Sequence, residues 1–412
     1  MRSFGYLWSS TALSNLADGV LKVGAPLLAV SLTRSPTQVS LVGAAATLPW
    51  LLFALYAGAI ADRVDRRRIM VLANGFRVVV LAVAALLGAL GLLNLWTLLA
   101  VVLLASVSEV FADTSAQSVL PMTVPSAQLT RANGRVQTAQ MIGNEFVGAP
   151  VAGVLVAILP AALFGGPALL YGAAGLLLLG MRGTFKAPQD ARGRRSLLAG
   201  IVEAQRYLWS QRFLRTLAVS AGLLNFSSAA YFAVMVLWVV GPDSAIGLEP
   251  SGYGLMLTAF AAGAVVGSLV SDRAIRLFGE GRTLVGGWTA NNLLLLVPVL
   301  VPTAWALYPT AVLWGVTGAA VNVLVVSTRQ RLIPAELLGR VNSAYRLIGM
   351  GGMPLGAALG GVLGELAGLP AVFLSAVGVS MVAVALVWRA LGDRISTPLT
   401  SEPKIPDISR SR

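Results

Sequence analysis

"LPWLLFALYAGAIADRVDRRR", residues 48–68, changes character within one helical turn. Its first fourteen residues carry no charge, and its last seven hold Asp62, Arg63, Asp65, Arg66, Arg67 and Arg68. The whole chain of 412 residues is only 11% charged and 57% hydrophobic. A charge burst of this kind marks where an apolar helix leaves a hydrocarbon layer and meets water. Mean hydropathy is +0.80, whereas a soluble domain is about one quarter charged. Apolar stretches of roughly 20 residues, each long enough to cross a core of about 30 Å, recur along the chain. Strand-period alternation is absent, which excludes a barrel. The fold class is therefore an all-α, polytopic membrane protein.

Short polar or Gly/Pro turns ("TRSPTQ", "NLW", "LPA", "GPDSAIGLEPSG", "VPTAW", "AGLP") separate twelve spans. These fall near 7–32, 38–61, 69–92, 96–119, 135–159, 161–181, 214–240, 251–272, 282–301, 303–327, 341–365 and 370–390. With the N-terminus in the cytoplasm, 27 of the 30 Lys and Arg lie on cytoplasmic segments or the helix turns beside them. Arg34 alone lies outside, while Lys22 and Arg77 lie within spans. The positive-inside rule thus predicts both termini in the cytoplasm. It accounts for the arginines of 62–68 but not for Asp62 and Asp65, because acids contribute little to orientation.

The chain repeats itself. "VPSAQLTRANG" (124–134) matches "IPAELLGRVNS" (333–343) at an offset of 209, which also takes Gly58 to Gly267. Six spans per half in the same orientation predict two six-helix bundles related by an axis normal to the membrane. The bundles are expected at 1–181 and 214–390, with a linker over 182–213 and a cytoplasmic tail over 391–412. Within the linker, Leu197, Leu198, Ile201, Val202, Leu208 and Trp209 recur at helical spacing. They suit either an amphipathic helix on the inner membrane surface or a solvated linker helix.

The net charge of +13 would suggest nucleic acid in a soluble protein, but positive-inside loops explain it here. The chain contains no Cys and no His, which removes thiol chemistry, most zinc sites and the usual near-neutral proton switch. "MRSFGYLWSS" runs into the first span without a cleavage site, so a retained helix is expected rather than a signal peptide. The lysines, Lys22, Lys186 and Lys404, lack the glycine of a phosphate-binding loop, so ATP is not expected as energy source. "GMGGMPLG" (349–356) follows no strand and reads as helix packing rather than a dinucleotide loop. No nucleophile–base set supports an enzyme.

Several of these stretches resemble the major facilitator superfamily. "GAIADRVDRRR" is similar to its signature between helices 2 and 3, G-x-x-x-D-R-x-[GD]-R-[RK]. The resemblance implies that Gly58 permits close helix packing. It also implies that Asp62, with Arg63, Asp65, Arg66 and Arg67, forms a charge relay locking the inward-closed gate. "GNEFVGAPVAG" (143–153) is similar to the helix 5 motif of the antiporters, with Gly148, Pro150 and Gly153 in place. The likeness spans nearly the whole chain and lies toward the bacterial multidrug, macrolide and siderophore exporters, through "LADGVLKVGAPLL" (16–28), "SVLPMTVPSAQLTRANG" (118–134) and the stretch 329–373. Two departures stand out. The arginine many drug/proton antiporters carry in helix 4 is missing from "LLASVSEVFADTSAQS" (103–118), and Asp272 sits one residue out of register with Asp62.

Four acids lie inside spans: Asp18, Glu109, Asp113 and Glu145. A charge at a helix centre costs about 2.5–3.5 kcal/mol on insertion scales, so each needs a reason. Asp18 and Lys22, four residues apart, can pair within helix 1 or serve transport. Asp113 lies closest to the cytoplasmic surface, on the same face as Glu109, and Glu145 precedes the helix 5 bend. Glu109 has no base near it in sequence and is the first candidate for proton coupling. A proton moved down 100 mV yields about 2.3 kcal/mol, or roughly fifty-fold accumulation of an uncharged solute. Helix 7, "NFSSAAYFAVMVLW", offers Asn225, Phe226, Tyr231, Phe232 and Met235 to a substrate cavity, and helix 2 adds Trp50, Phe53 and Tyr56. Acids without a midplane arginine favour a lipophilic cation or neutral amphiphile over an anionic siderophore.

The expectation is a monomeric, proton-coupled exporter of hydrophobic small molecules in the bacterial cytoplasmic membrane, with no cofactor besides the proton gradient and no metal. A siderophore or metabolite exporter is the alternative within transporters. A transport-dead sensor or scaffold is the alternative from another class. If Asp62 is a gate residue, Asp62→Asn inserts at the wild-type level yet loses most of its transport rate, as compared by membrane yield and substrate flux.

Overall fold

The computed structural model describes residues 2–159, 162–186, 197–334 and 337–392. The expected tail over 393–412 and most of the basic part of the linker lie outside the described residues. Twelve helices are long and apolar enough to cross a membrane. The first six are Ser3–Leu32, Pro36–Ala61, Arg66–Ala89, Leu95–Thr123, Ser126–Ile158 and Ala162–Leu179. The second six are Arg212–Val239, Pro250–Phe278, Glu280–Leu300, Ala304–Leu332, Val341–Ala367 and Leu369–Leu391. They are numbered helix 1 to helix 12 below. With no water in a bilayer core, each helix satisfies its own backbone groups, and only the helix ends need outside partners. Ser35 caps helix 2, Asp65 caps helix 3, and Asn94 with Thr97 forms a capping box on helix 4.

The helices gather into two six-helix bundles. Glycine decides how closely they approach, because lipid supplies little hydrophobic drive and backbone contact must replace it. In the second bundle, Gly263 and Gly267 of helix 8 lie on the Val312 and Val316 carbonyls of helix 10, and Gly315 returns the contact on Phe260. Gly58, at the matching position of the first bundle, has nothing within 4 Å of where a Cβ would stand. The close packing implied for Gly58 is therefore absent in this conformation.

At the end of the membrane away from the basic loops the bundles close on each other. Gly153 of helix 5 meets the Pro250 carbonyl of helix 8, where a Cβ would come within 2.5 Å, and Gly254 meets the Ala149 carbonyl at the same distance. Gly361 of helix 11 lies against Ser40 and Pro36 of helix 2. Hydrogen bonds reinforce the seam. The Ser35 hydroxyl donates to Glu365 Oε2 at 2.6 Å, the Thr37 amide donates to the same oxygen at 3.3 Å, and Arg34 Nη1 donates to the Val240 carbonyl at 3.0 Å. Among the described residues, every hydrogen bond between the bundles lies at this end. A second-bundle carboxylate thus sits on the N-terminus of helix 2, where the helix dipole favours negative charge.

The surface helix Leu197–Ser210 lies at the basic end. Leu208 is buried with Ile333, Val341 and Tyr345, and the Tyr207 hydroxyl donates to the Leu332 carbonyl at 3.4 Å. This helix is docked on the second bundle, and Trp209 stays exposed. The side chains of Leu197, Leu198, Ile201 and Val202 lie outside the described residues.

The seam gives a direct expectation. Spin labels at Thr33→Cys and Pro242→Cys, in a chain free of native cysteine, report a short separation in the parent. Gly254→Val, which drives side-chain atoms into the Ala149 carbonyl, shifts that distribution to longer distances. Glu365→Gln, which removes only a charge-assisted hydrogen bond, shifts it less.

Candidate functional site

Between the bundles lies a cavity of about 920 Å³. Asn15 and Lys22 of helix 1, Trp50 of helix 2, Glu109 and Asp113 of helix 4, and Gln137, Thr138, Asn144, Glu145 and Phe146 of helix 5 line its first-bundle wall. Val265 of helix 8 with Arg346 and Met350 of helix 11 line the other wall. The glycine seam closes the cavity at one end. It extends toward the basic end as far as Gln137 and Arg346, each near the start of its helix.

Three of the four intramembrane acids reach this cavity. Glu109, almost fully buried, pairs with Lys22 at 2.9 Å. Asp113 and Glu145 make no ion pair or hydrogen bond among the described residues. The sequence pairing of Asp18 with Lys22 does not form. Both residues lie on helix 1 one turn apart, but each faces a stronger partner across the bundle. Asp18 Oδ1 accepts from the Tyr171 hydroxyl at 2.6 Å and lies 3.6 Å from Arg77 Nη2. The Arg77 guanidinium stacks 4.6 Å over the Tyr171 ring, and its Nε donates to the Ala105 carbonyl at 3.3 Å. Arg77 has no exposed surface at all. Asp18 therefore belongs to a buried tie joining helices 1, 3, 4 and 6, outside the cavity. Where many exporters of the family carry an arginine on helix 4, this chain places a cation beside Glu109 from helix 1.

Helix 5 explains how Glu145 comes to face the cavity. Residues Ile142–Gly148 form a π-helical turn immediately before Pro150. Proline has no amide hydrogen to continue the ladder, and a widened turn of this kind accompanies functional sites. Gly19 of helix 1 lies on the Asn144 carbonyl, Gly143 meets Leu16, and Gly148 meets Gly19. Asn144 Nδ2 then donates to Asn15 Oδ1 at 3.1 Å. Gly148 and Gly153 thus serve two separate contacts, one inside the first bundle and one across the seam.

The charged turn between helices 2 and 3 is built within the first bundle. Asp65 Oδ1 accepts from the Arg67 and Arg68 amides, and its Oδ2 accepts from the Phe185 amide at 3.1 Å. Arg66 is buried and donates to the Ala61 and Ser118 carbonyls, and Arg67 donates to the Leu179 carbonyl at 2.8 Å. Asp62, well exposed, meets only Arg66 at 3.2 Å. Arg63 is exposed at the same turn. These residues tie helices 2, 3, 4 and 6 together.

The helix 7 residues expected in the substrate cavity are elsewhere. Tyr231, Phe232 and Met235 line a small apolar pocket inside the second bundle with Phe260 and Trp314, where Phe232 stacks on Trp314 at 4.6 Å. The Tyr231 hydroxyl donates to the Leu295 carbonyl at 3.0 Å. Phe226 packs on Gly352 and Gly356, and Asn225 lies beside Gly349. Their spacing could not say which face of helix 7 turns inward. Of the helix 2 aromatics, Trp50 lines the cavity and Tyr56 is largely exposed on the outer surface. Arg346 lies in the first turns of helix 11 at the basic end, where the positive-inside rule alone accounts for an arginine. Its signal was its position, a full turn inside Val341.

Two bundles of six helices, a central charged cavity and a glycine seam at one end define a major facilitator transporter. The comparisons agree. A family model described as transmembrane secretion effector matches residues 1–404. The chain belongs to this family of the major facilitator superfamily. It is 25% identical over 371 residues to the multidrug efflux pump Tap of Mycolicibacterium fortuitum, covering 87% of this chain and 88% of Tap. It is 27% identical over 425 residues to the enterobactin exporter EntS of Citrobacter koseri, covering 98% and 95%. Among solved structures it resembles the nucleoside transporter NupG, with a TM-score of 0.73 at 14% identity, covering 95% of this chain and 99% of that one. The chain is a multi-pass exporter of the major facilitator type, not an enzyme.

The buried tie carries its own test. Asp18→Asn or Arg77→Gln leaves one charge without its counter-charge and costs about 3–5 kcal/mol of stability. The double replacement costs less than the sum of the two, read from thermal unfolding in detergent.

Proposed function

We propose that the chain exports hydrophobic and amphiphilic small molecules in exchange for protons, by alternating access, with the basic end facing the cytoplasm of a bacterium. The observation that carries this reading is the cavity of about 920 Å³, lined by three carboxylates, sealed at one end and spread apart at the other. With the basic loops inside, this conformation faces the cytoplasm, where an exporter collects its load. Kinship with a multidrug pump and a siderophore exporter supports outward transport of small molecules.

Glu109 supplies the coupling. When Glu109 is ionised, its pair with Lys22 is neutral, and Asp113 and Glu145 can draw a cationic group into the cavity. When Glu109 takes a proton, Lys22 loses its counter-charge and stands as a free cation facing the same space. Proton and cationic substrate therefore exclude each other, which is the requirement for exchange. One proton shifts the cavity from one net negative charge to none, counting Lys22 and Arg346 against the three acids. The turn at 62–68 holds the first bundle rigid, and in the opposite conformation its exposed Asp62 is free to meet the second bundle.

The test uses inverted vesicles with an imposed pH gradient and a panel of lipophilic cations, neutral amphiphiles and siderophores. The parent accumulates its substrate in a gradient-dependent way. Glu109→Gln keeps size and hydrogen bonding but cannot titrate, so it loses uphill accumulation while retaining substrate binding and downhill exchange. Accumulation by Glu109→Gln equal to the parent would transfer the role to Asp113 or Glu145. No transport of any panel member would favour a sensor, and accumulation of siderophores alone a dedicated metabolite carrier.

A further inference from the structure

The two walls of the cavity carry opposite charge. On the first-bundle wall, the Lys22–Glu109 pair cancels internally, which leaves Asp113 and Glu145 as carboxyl groups without an ion-pair partner. On the second-bundle wall, Arg346 is the charged residue. Arg346 is exposed to the cavity and makes no ion pair or hydrogen bond among the described residues. Its own bundle repels rather than neutralises it. Arg329, stacked 3.9 Å over the ring of the neighbouring Tyr345, acts on it as a like charge. The Arg331–Glu280 pair, at 2.7 Å, engages a different basic residue of that bundle. A guanidinium left without a partner on one wall, facing two carboxylates without partners on the other, is a dipolar arrangement awaiting a dipolar guest.

We infer that the cavity selects amphoteric aromatic molecules, with a cationic group against Asp113 and Glu145 and a carboxylate or similar anionic group against Arg346. This rests on the proposed function and narrows its substrate class. A guanidinium offers a planar fork of donors that a carboxylate meets with two parallel hydrogen bonds, so the anionic end is recognised by geometry as well as charge. Trp50, Phe146 and Met350 give an aromatic body apolar and π surface between the two poles. A simple cation satisfies only one wall. A simple anion meets Arg346 but brings its charge toward the acids. An amphoteric guest satisfies both walls at once and bridges the bundles, which links its binding to their relative movement.

A matched pair of dyes separates these cases. Tetramethylrhodamine carries a cationic xanthene and a free carboxylate, and its methyl ester carries the same cation without the acid. Binding of each to the purified, full-length protein is read by fluorescence anisotropy, with no gradient present. The parent is expected to bind both, with the free acid tighter. In Arg346→Gln the ratio of acid to ester affinity falls about tenfold, as expected when one partner of a charge-assisted hydrogen-bonded pair is removed. Arg346→Lys retains the charge without the fork and recovers part of the ratio. A ratio that stays within about twofold of the parent in Arg346→Gln overturns the inference, and so does a parent that fails to bind the free acid. Because binding is measured without a gradient, the expected ratio change together with absent uphill export would sink the antiport reading and leave this one standing.

Discussion

A hydrocarbon core solvates neither a bare charge nor an unpaired backbone group, and each charged residue in the spans of the first bundle answers to that constraint. Arg77 and Asp18 meet it by mutual pairing in the core of the bundle, with Tyr171 accepting the guanidinium on its face and donating its hydroxyl to the carboxylate. Lys22 and Glu109 meet it by pairing at the cavity wall. Asp113 and Glu145 meet it by facing the cavity itself. The same rule thus yields a structural tie in one place and a polar cavity wall a helical turn away.

A second asymmetry separates the two ends of the bundle interface. One end is shut by backbone-to-backbone contact at Gly153 and Gly254 and by the Ser40 side chain against Gly361, where a further side chain would collide. The other end keeps Gly58 bare and Asp62 exposed. The turn over 62–68 ties four helices of its own bundle through Asp65, Arg66 and Arg67.

Much of this was legible in the chain itself. The span count, the two-bundle repeat and the membrane class followed from hydropathy and from the 209-residue offset, because both depend on properties summed over many residues. The importance of 58–68 and 143–153 was also visible as pattern. Which acid pairs with which base was not. Asp18 and Lys22 share a helix face, yet Arg77 is 59 positions from Asp18 and Glu109 is 87 from Lys22 in the chain. The aromatic stripe of helix 7 lines a small apolar pocket inside the second bundle instead of the large cavity for a related reason: periodicity shows that residues share a face, but not what that face meets.

By itself, then, the sequence determined that this is a twelve-span helical carrier whose charged residues had to be accounted for. A one-dimensional pattern of apolar length and charge is sufficient for that, since the bilayer imposes the same demand on every span. Only the tertiary structure decided which charges were spent on holding the first bundle together and which were left facing the cavity. That division depends on distances between helices, and those are set by glycine contacts and by the π-turn before Pro150. It also placed Arg346, a basic residue of the kind that topology alone explains, on the wall of the cavity between the bundles, opposite Asp113 and Glu145.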